Sequence, residues 1–334
     1  VSADLAERLA ADVARRLGVD RIDVRGLRRL AGGASRETWA FDAVRPDGTT
    51  ERLVLRRDPP DHHIRSSRRD EFALLAAAAA AGLPVPRVRW CEDDATLLGA
   101  PFFVMDLVEG ETLARRLLRD AAYAGARAVL PAQLADALAR IHRIDAEEPP
   151  LAFLARPAPG ETPAAVELAR YESVYRAIAP DPHPALELAF RWLAARVPHP
   201  GGRAVVHGDY RVGNVIFGPE GLRAVIDWEL AHVGDPLEDV GWFCVRSWRF
   251  GADDRPAGGL CARAEFFAAY ERAGGAAVDP QAARWWEIFG NLRWAIMCIM
   301  QAQTFLDGAR SVELASLGRR VAEMELELLE LTEG

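Results

Sequence analysis

An α+β chain of two lobes is predicted, with a small antiparallel-sheet lobe carrying one main helix over residues 1–106 and a larger, mostly helical lobe over 107–334. Three observations predict it. Short runs of strand length, separated by Gly, Pro and Asp turns, crowd the first lobe. From Thr112 onward apolar residues recur at helical spacing. The exception is residues 205–241, VVHGDYRVGNVIFGPEGLRAVIDWELAHVGDPLEDVG, where short apolar runs return with polar residues at their ends.

In chain order, residues 2–17 form a charged amphipathic helix, and 22–30 a strand ending at Ala31-Gly32-Gly33-Ala34-Ser35. Glu37–Phe41 and Arg52–Arg56 are strands joined through the turn Pro46-Asp47-Gly48. Ser66 and Ser67 are the N-cap candidates of a helix running through Ala81 and stopping at Gly82-Leu83-Pro84. Val88–Cys91 and Pro101–Val108 supply two more strands. Within the exceptional stretch, Val205-Val206, Val215-Ile216-Phe217 and Ala224-Val225-Ile226 are buried strands, with Gly218-Pro219 and Gly221 turning the chain.

The polar residues of that stretch have the types that phosphoryl transfer needs. The order H-x-D-x-x-x-x-N holds His207, Asp209 and Asn214, and the last apolar run ends on Asp227. Phosphoryl transfer asks the protein mainly for positioning and charge neutralisation, so one acceptor facing the attacking hydroxyl and oxygen ligands for a hard cation are the minimum. Asp209 fits the first role as the catalytic residue. Asn214 and Asp227 fit the second, as ligands of magnesium on the phosphates of ATP. His207 is expected to brace the loop, His142 to be a packed, hydrogen-bonded histidine, and Asp235 and Asp239 to cap a helix or tie a loop down. Trp285, Trp286, Trp294 and Phe289 fall at helical spacing and are expected in the core.

The small lobe has the order of a nucleotide site: the glycine turn, a strand bearing Arg56, a helix bearing Glu71, then the strand Phe102–Met105. Gly32 and Gly33 permit close approach of backbone to phosphate, and Ser35 adds a hydroxyl donor. A cation on the strand paired with an acid on the helix holds the α- and β-phosphates. The chain contains no Lys at all, so that cation is Arg56. By the period-two rule Arg57 points to the other face.

A net charge of −8 opposes nonspecific nucleic-acid binding. The charged N-terminal stretch VSADLAERLAADVARRLGV is neither a signal peptide nor a membrane span, and Cys91, Cys244, Cys261 and Cys298 stand too far apart for a zinc motif or a disulfide framework. The expectation is a cytoplasmic enzyme with a small-molecule hydroxyl substrate and no nucleic-acid or membrane partner.

The segments LAGGASRETW, LVLRRDPP, RRDEFALLAAAAAAGLPVPRV, PFFVMDLVEGETL, VVHGDYRVGNVIF, VIDWELAHVGDPLEDVGW and WWEIFGNLRWAIMCIMQAQ follow one another in an order that resembles the aminoglycoside phosphotransferase family, over nearly the whole chain. That resemblance implies a protein-kinase-like fold and an ATP-dependent transfer of the γ-phosphate to a hydroxyl. It also implies that Met105 is the gatekeeper, and that the Asp106 carbonyl and the Val108 N–H bond adenine. Gly208 stands where protein kinases carry an Arg, Trp228-Glu229 replace Phe-Gly, and no A-P-E triplet follows, which argues against a peptide substrate. Within the family the similarity is greatest to the branch fused to acyl-CoA dehydrogenases, which implies a hydroxyacyl-CoA-like acceptor. The alternatives are an aminoglycoside or other antibiotic kinase, which would need an acidic acceptor pocket, and a catalytically silent nucleotide-binding relative.

Overall fold

The structure is a computed structural model that describes residues 2–30, 37–58, 67–178, 181–199, 202–308 and 311–333. These form two compact units. The first comprises Val1–Glu111, Glu147–Phe153 and Arg223–Glu229, and the second Thr112–Ala146, Leu154–Leu222 and Leu230–Gly334.

The first unit is an antiparallel sheet between helices. Its elements are α1 (Ser2–Leu17), β1 (Asp23–Arg29), β2 (Glu37–Val44), β3 (Thr50–Arg57), α2 (Arg68–Ala80), β4 (Val88–Glu92), α3 (Ala95–Leu98) and β5 (Phe102–Asp106), with the strands in the order β1-β2-β3-β5-β4. Alternation sorts the two faces. Leu53 and Leu55 of β3 pack with Phe41, Phe102 and Val104 against Leu5, Leu9 and Val13, which recur every four residues along one side of α1. The even residues of β3 therefore face the other way, and Arg56 reaches Glu71 on α2.

Local chemistry sets the helix start. The Ser67 hydroxyl accepts the Arg69 N–H at 3.1 Å and Asp70 accepts the Ser67 N–H at 3.2 Å, a capping box that satisfies two backbone donors. The strand expected over Pro101–Val108 is shorter, because after Asp106 the chain leaves the sheet: the Asp106 N–H bonds the Arg87 carbonyl at 2.8 Å, and the Leu107 N–H bonds the Arg52 carbonyl at 2.9 Å. The short helix α3 was not expected. Asp94 caps it, accepting the Thr96 N–H at 2.8 Å.

The second unit is helical around a small strand pair. Its helices are α4 (Ala114–Arg119), α5 (Ala124–Ile141), α6 (Pro163–Ile178), α7 (Pro184–Ala194), α8 (Leu237–Cys244), α9 (Arg263–Arg272), α10 (Pro280–Leu306), α11 (Val312–Gly318) and α12 (Val321–Thr332). Strand β6 (Ala204–Val206) pairs antiparallel with β9 (His232–Gly234), and β7 (Val215–Gly218) and β8 (Gly221–Val225) lie between them in the chain. The expected third strand thus ends one residue early, leaving Ile226 outside, and β9 was not expected. Helix α10 is the spine of this unit. Trp285, Trp286 and Phe289 are buried on it, with the Trp285 and Phe289 rings stacked 5.6 Å apart and the Trp285 N–H on the Leu193 carbonyl at 3.0 Å. Helix α8 comes close enough that a Cβ on Gly241 would meet Trp286 Cβ at 2.5 Å, so only glycine permits the contact. Among the described residues no helix is long and apolar enough to cross a membrane.

Candidate active site

Asp209 sits between β6 and a 3-10 turn, Val212–Asn214, that brings Asn214 back onto it. The Asn214 amide nitrogen donates to the Asp209 carbonyl at 2.9 Å and to its Oδ2 at 2.6 Å. With its nitrogen so committed, the amide presents its oxygen elsewhere, which is the orientation a cation ligand needs. Two further donors reach the carboxylate: Trp242 Nε1 at 2.8 Å from Oδ1, and Arg211 Nε at 3.0 Å from Oδ1 and 3.2 Å from Oδ2.

The loop before Asp209 is tied down by buried charge. His207 Nδ1 accepts the Asp209 N–H at 3.2 Å, so His207 holds the loop's shape. Asp239, fully buried, accepts the N–H groups of His207 at 2.7 Å and Gly208 at 2.9 Å, and lies 3.1 Å from His142 Nε2, whose other ring nitrogen meets the Tyr270 hydroxyl at 2.6 Å. Burial alone would raise the Asp239 carboxyl. The hydrogen bond and charge of His142, with His207, outweigh it and hold the group below the usual carboxylate range. Gly208 has φ +76°, and a Cβ there would stand 2.3 Å from the Leu230 carbonyl oxygen, so no side chain fits at the position where protein kinases carry Arg.

A second ring of charge stands behind the first. Arg293, 1 % exposed, donates to the Gly208 carbonyl at 2.8 Å and to Glu238 Oε1 at 2.9 Å, and its guanidinium stacks 4.6 Å from the Trp242 ring centre. Glu238 also meets His232 Nε2 at 3.1 Å. Glu167, His232 and Glu238 bring ligand-type atoms within 4.8 Å of one another, yet Arg293 on Glu238 and Arg170 on Glu167 already balance the carboxylates, so the cluster is an ion-pair network.

Burial pushes His232 down, but the charge and hydrogen bond of Glu238 prevail and hold it up to about 9. Its folded value lies above the ordinary 6.5, so its contribution to stability is complete below about pH 6.5 and is lost as pH rises through about 9. His232→Gln is therefore expected to flatten the decline of Tm between pH 7 and 10, measured by scanning calorimetry. An unchanged slope would remove His232 from that transition.

The first unit holds the remaining candidates. Arg56 and Glu71 form a direct ion pair at side-chain exposures of 14 % and 4 %. The Arg56 Nε is buried without a hydrogen-bond partner among the described residues, a donor suited to an anionic ligand. Arg57 faces the other way, donating its Nε to Glu37 at 2.9 Å and an Nη to the Leu98 carbonyl at 2.8 Å. Met105 and Asp106 end β5 and Val108 follows it, with the Asp106 carboxylate accepting Arg89 Nε at 2.5 Å. Gly32, Gly33 and Ser35 lie outside the described residues. Asp227 belongs to this unit and has φ +68°, a left-handed conformation that Asp tolerates better than most residues but that still costs about 1 kcal/mol. Strain of that kind at a polar residue is typical of functional positions.

Trp242, Arg211 and Arg293 were not singled out from the sequence. Trp242 and Arg293 lie in segments conspicuous there, VIDWELAHVGDPLEDVGW and WWEIFGNLRWAIMCIMQAQ, but nothing in their spacing says that they converge on Asp209 and Gly208.

The antiparallel sheet lobe, the helical second unit and the Asp209–Asn214 turn are those of a protein-kinase-like phosphotransferase. The chain belongs to the phosphotransferase enzyme family, whose model matches residues 26–283. Mouse acyl-CoA dehydrogenase family member 10 is 32% identical over 201 residues, 58% of this chain but 18% of that protein. Human acyl-CoA dehydrogenase family member 11 is 28% identical over 202 residues, covering 58% and 25% of the two chains. This chain thus spans about a quarter or less of the length of these relatives. Among solved structures, a candidate aminoglycoside phosphotransferase from Ralstonia eutropha superposes with a TM-score of 0.75 at 23% identity, covering 98% of each chain. Macrolide 2'-phosphotransferase MphH from Brachybacterium faecium gives 0.61 at 22% identity, covering 93% of this chain and 96% of its own. At these identities the structures establish the fold alone.

Proposed function

We propose that this chain transfers the γ-phosphate of ATP to the hydroxyl of a hydroxyacyl-CoA or similar metabolite. Bound magnesium neutralises charge on the phosphates and leaves the protein the tasks of holding and orienting. In this reading Asp209 orients the attacking hydroxyl and receives its proton, Asn214 and Asp227 offer oxygens to magnesium, and Arg56, braced by Glu71, neutralises the α- and β-phosphates. Met105, Asp106 and Val108 contact the adenine, and Gly32, Gly33 and Ser35 the phosphates.

The observation that carries the choice of acceptor is Arg211. A guanidinium in contact with Asp209, and 4.7 Å from the centre of the Trp248 ring, opposes a polycationic antibiotic and favours an acceptor rich in oxygen. The relatives named as acyl-CoA dehydrogenases support the same choice. The negative net charge and the free cysteines fit a cytoplasmic enzyme without nucleic-acid or membrane partners.

The test is a phosphotransfer screen with ATP and magnesium over hydroxyacyl-CoAs, aminoglycosides, choline and sugars, following ADP release and the phosphorylated product. Turnover of hydroxyacyl-CoAs is expected. Turnover confined to aminoglycosides would replace the acceptor, and nucleotide binding without turnover of any acceptor would identify a silent relative.

Asp227→Asn tests the metal role. Asn tolerates the left-handed backbone, so Tm is expected to hold within a few degrees. With one carboxylate charge removed, half-activation by magnesium is expected to move at least about tenfold upward, since a hard cation selects charged oxygen ligands. An unmoved magnesium requirement would take Asp227 out of the metal site.

A further inference from the structure

The Asp209 carboxylate is saturated. It receives four contacts from three donors: Trp242 Nε1 and Arg211 Nε on Oδ1, and Asn214 Nδ2 and the same Arg211 Nε on Oδ2. An ionised carboxylate offers about four lone-pair sites, so no site remains for the acceptor hydroxyl while all these contacts stand. One donor has to leave.

The three donors differ in how firmly they are held. Trp242 is 2% exposed within α8 under the Arg293 guanidinium, and Asn214 is 4% exposed with its amide also fixed on the Asp209 main chain. Arg211 has 24% of its side chain exposed and shares a single N–H between both carboxylate oxygens, the weakest geometry of the set. Its guanidinium also lies over the Trp248 ring, 4.7 Å from the centre, a cation–π contact that does not depend on the carboxylate. A Cβ on Gly213 would stand 2.2 Å from Arg211 Nη1, so the glycine makes the room in which this side chain lies.

We propose that Arg211 is a specificity-determining residue of the acceptor site. The acceptor hydroxyl takes its place on Asp209, and the displaced guanidinium, still on Trp248, binds a second oxygen of the acceptor a few Å from that hydroxyl. That oxygen belongs to a carboxylate or an acyl carbonyl. A guanidinium leaving a carboxylate needs a new acceptor to compensate for the lost charge-assisted hydrogen bond. A plain alcohol supplies none and must compete with Arg211 for Asp209, whereas a hydroxyacyl compound supplies both partners. The inference deepens the reading above and rests on Asp209 as the group that orients the hydroxyl.

The test compares the intact protein with Arg211→Ala and Arg211→Lys on three acceptors carrying the same hydroxyl: 3-hydroxybutyryl-CoA, free 3-hydroxybutyrate, and the thioether S-(3-hydroxybutyl)-CoA, which lacks the carbonyl. The kcat/KM ratio of carbonyl-bearing to carbonyl-free acceptor is expected to fall about tenfold or more in Arg211→Ala and less in Arg211→Lys, while KM for ATP moves less than about twofold. The free acid and the thioester decide which oxygen is bound. A ratio that does not move, or a KM for ATP that rises in parallel, overturns the proposal, the latter by placing the guanidinium on the nucleotide.

A second measurement separates this proposal from the choice of metabolite. Trp248 fluorescence, taken as the difference from Trp248→Phe, is followed while 3-hydroxybutyrate is added without nucleotide. A change that Arg211→Ala abolishes supports the displacement even if none of the three acceptors is phosphorylated, in which case only the acceptor reading above fails. No change in the intact protein, together with no turnover, sinks both.

Discussion

Asp209→Asn is expected to lower kcat by roughly 10²–10⁴-fold, the range in which a positioned proton acceptor contributes, while the affinity for ATP stays largely intact. The reason is the division of labour: Asp209 acts on the acceptor, and the proposed contacts to the nucleotide come from other residues. The structure adds a stability term. Every side chain on the Asp209 carboxylate is a donor, namely Trp242, Arg211 and Asn214. An amide in its place sets an NH₂ against at least one of them, so a loss of about 1–3 kcal/mol is expected as well. Single-turnover kinetics with nucleotide titration and a thermal melt on the same sample separate the two effects. ATP affinity falling in step with kcat would count against the assigned role.

The second large effect concerns Arg56. Arg56→Ala removes a charge-assisted contact to phosphate and takes away the ion pair that Arg56 makes with Glu71, 4% exposed. The expected loss in kcat/KM for ATP corresponds to about 2–4 kcal/mol of transition-state stabilisation. Arg56→Lys should keep substantial activity, since an ammonium can make the same charge contact with Glu71 and the phosphates. Arg57→Ala is the control. Its guanidinium serves Glu37 and the Leu98 carbonyl on the opposite face of the sheet, so its loss should cost about 1 kcal/mol of stability and leave kcat/KM for ATP near the native value. Turnover indifferent to Arg56→Ala, or more sensitive to Arg57→Ala, would refute the assignment.

How much of this was legible beforehand depended on the range of the interaction. The division of β3 between an apolar face and Arg56 follows from the two-residue repeat of any strand, so the partners of Arg56 and Arg57 are separated by backbone geometry alone. Asp209 and Asn214 stand five residues apart across one tight turn, so their contact too is local. Ser67 and Asp70 cap α2 for the same kind of reason. Where the signal was weaker, at the ends of strands, the expected limits over Pro101–Val108 and at Ile226 differ from the observed ones, because hydrogen bonds to neighbouring segments decide where a strand stops.

The remainder of the site depends on closure of the chain. Trp242 reaches Asp209 across 33 residues, Asp239 reaches Gly208 across 31, and Arg293 reaches the Gly208 carbonyl across 85. None of these distances has a periodicity to betray it. They exist because α8 and α10 pack closely at Gly241 and carry a Trp, an Asp and an Arg onto the back of one loop. By itself, then, the sequence determined the main helices and strands and the faces of the strands, which rest on backbone repeats and residue chemistry, while α3 and β9 escaped it. Only the tertiary structure decided what surrounds the Asp209 carboxylate and leaves it saturated, because those donors come from helices whose positions are set by the packing of a whole core.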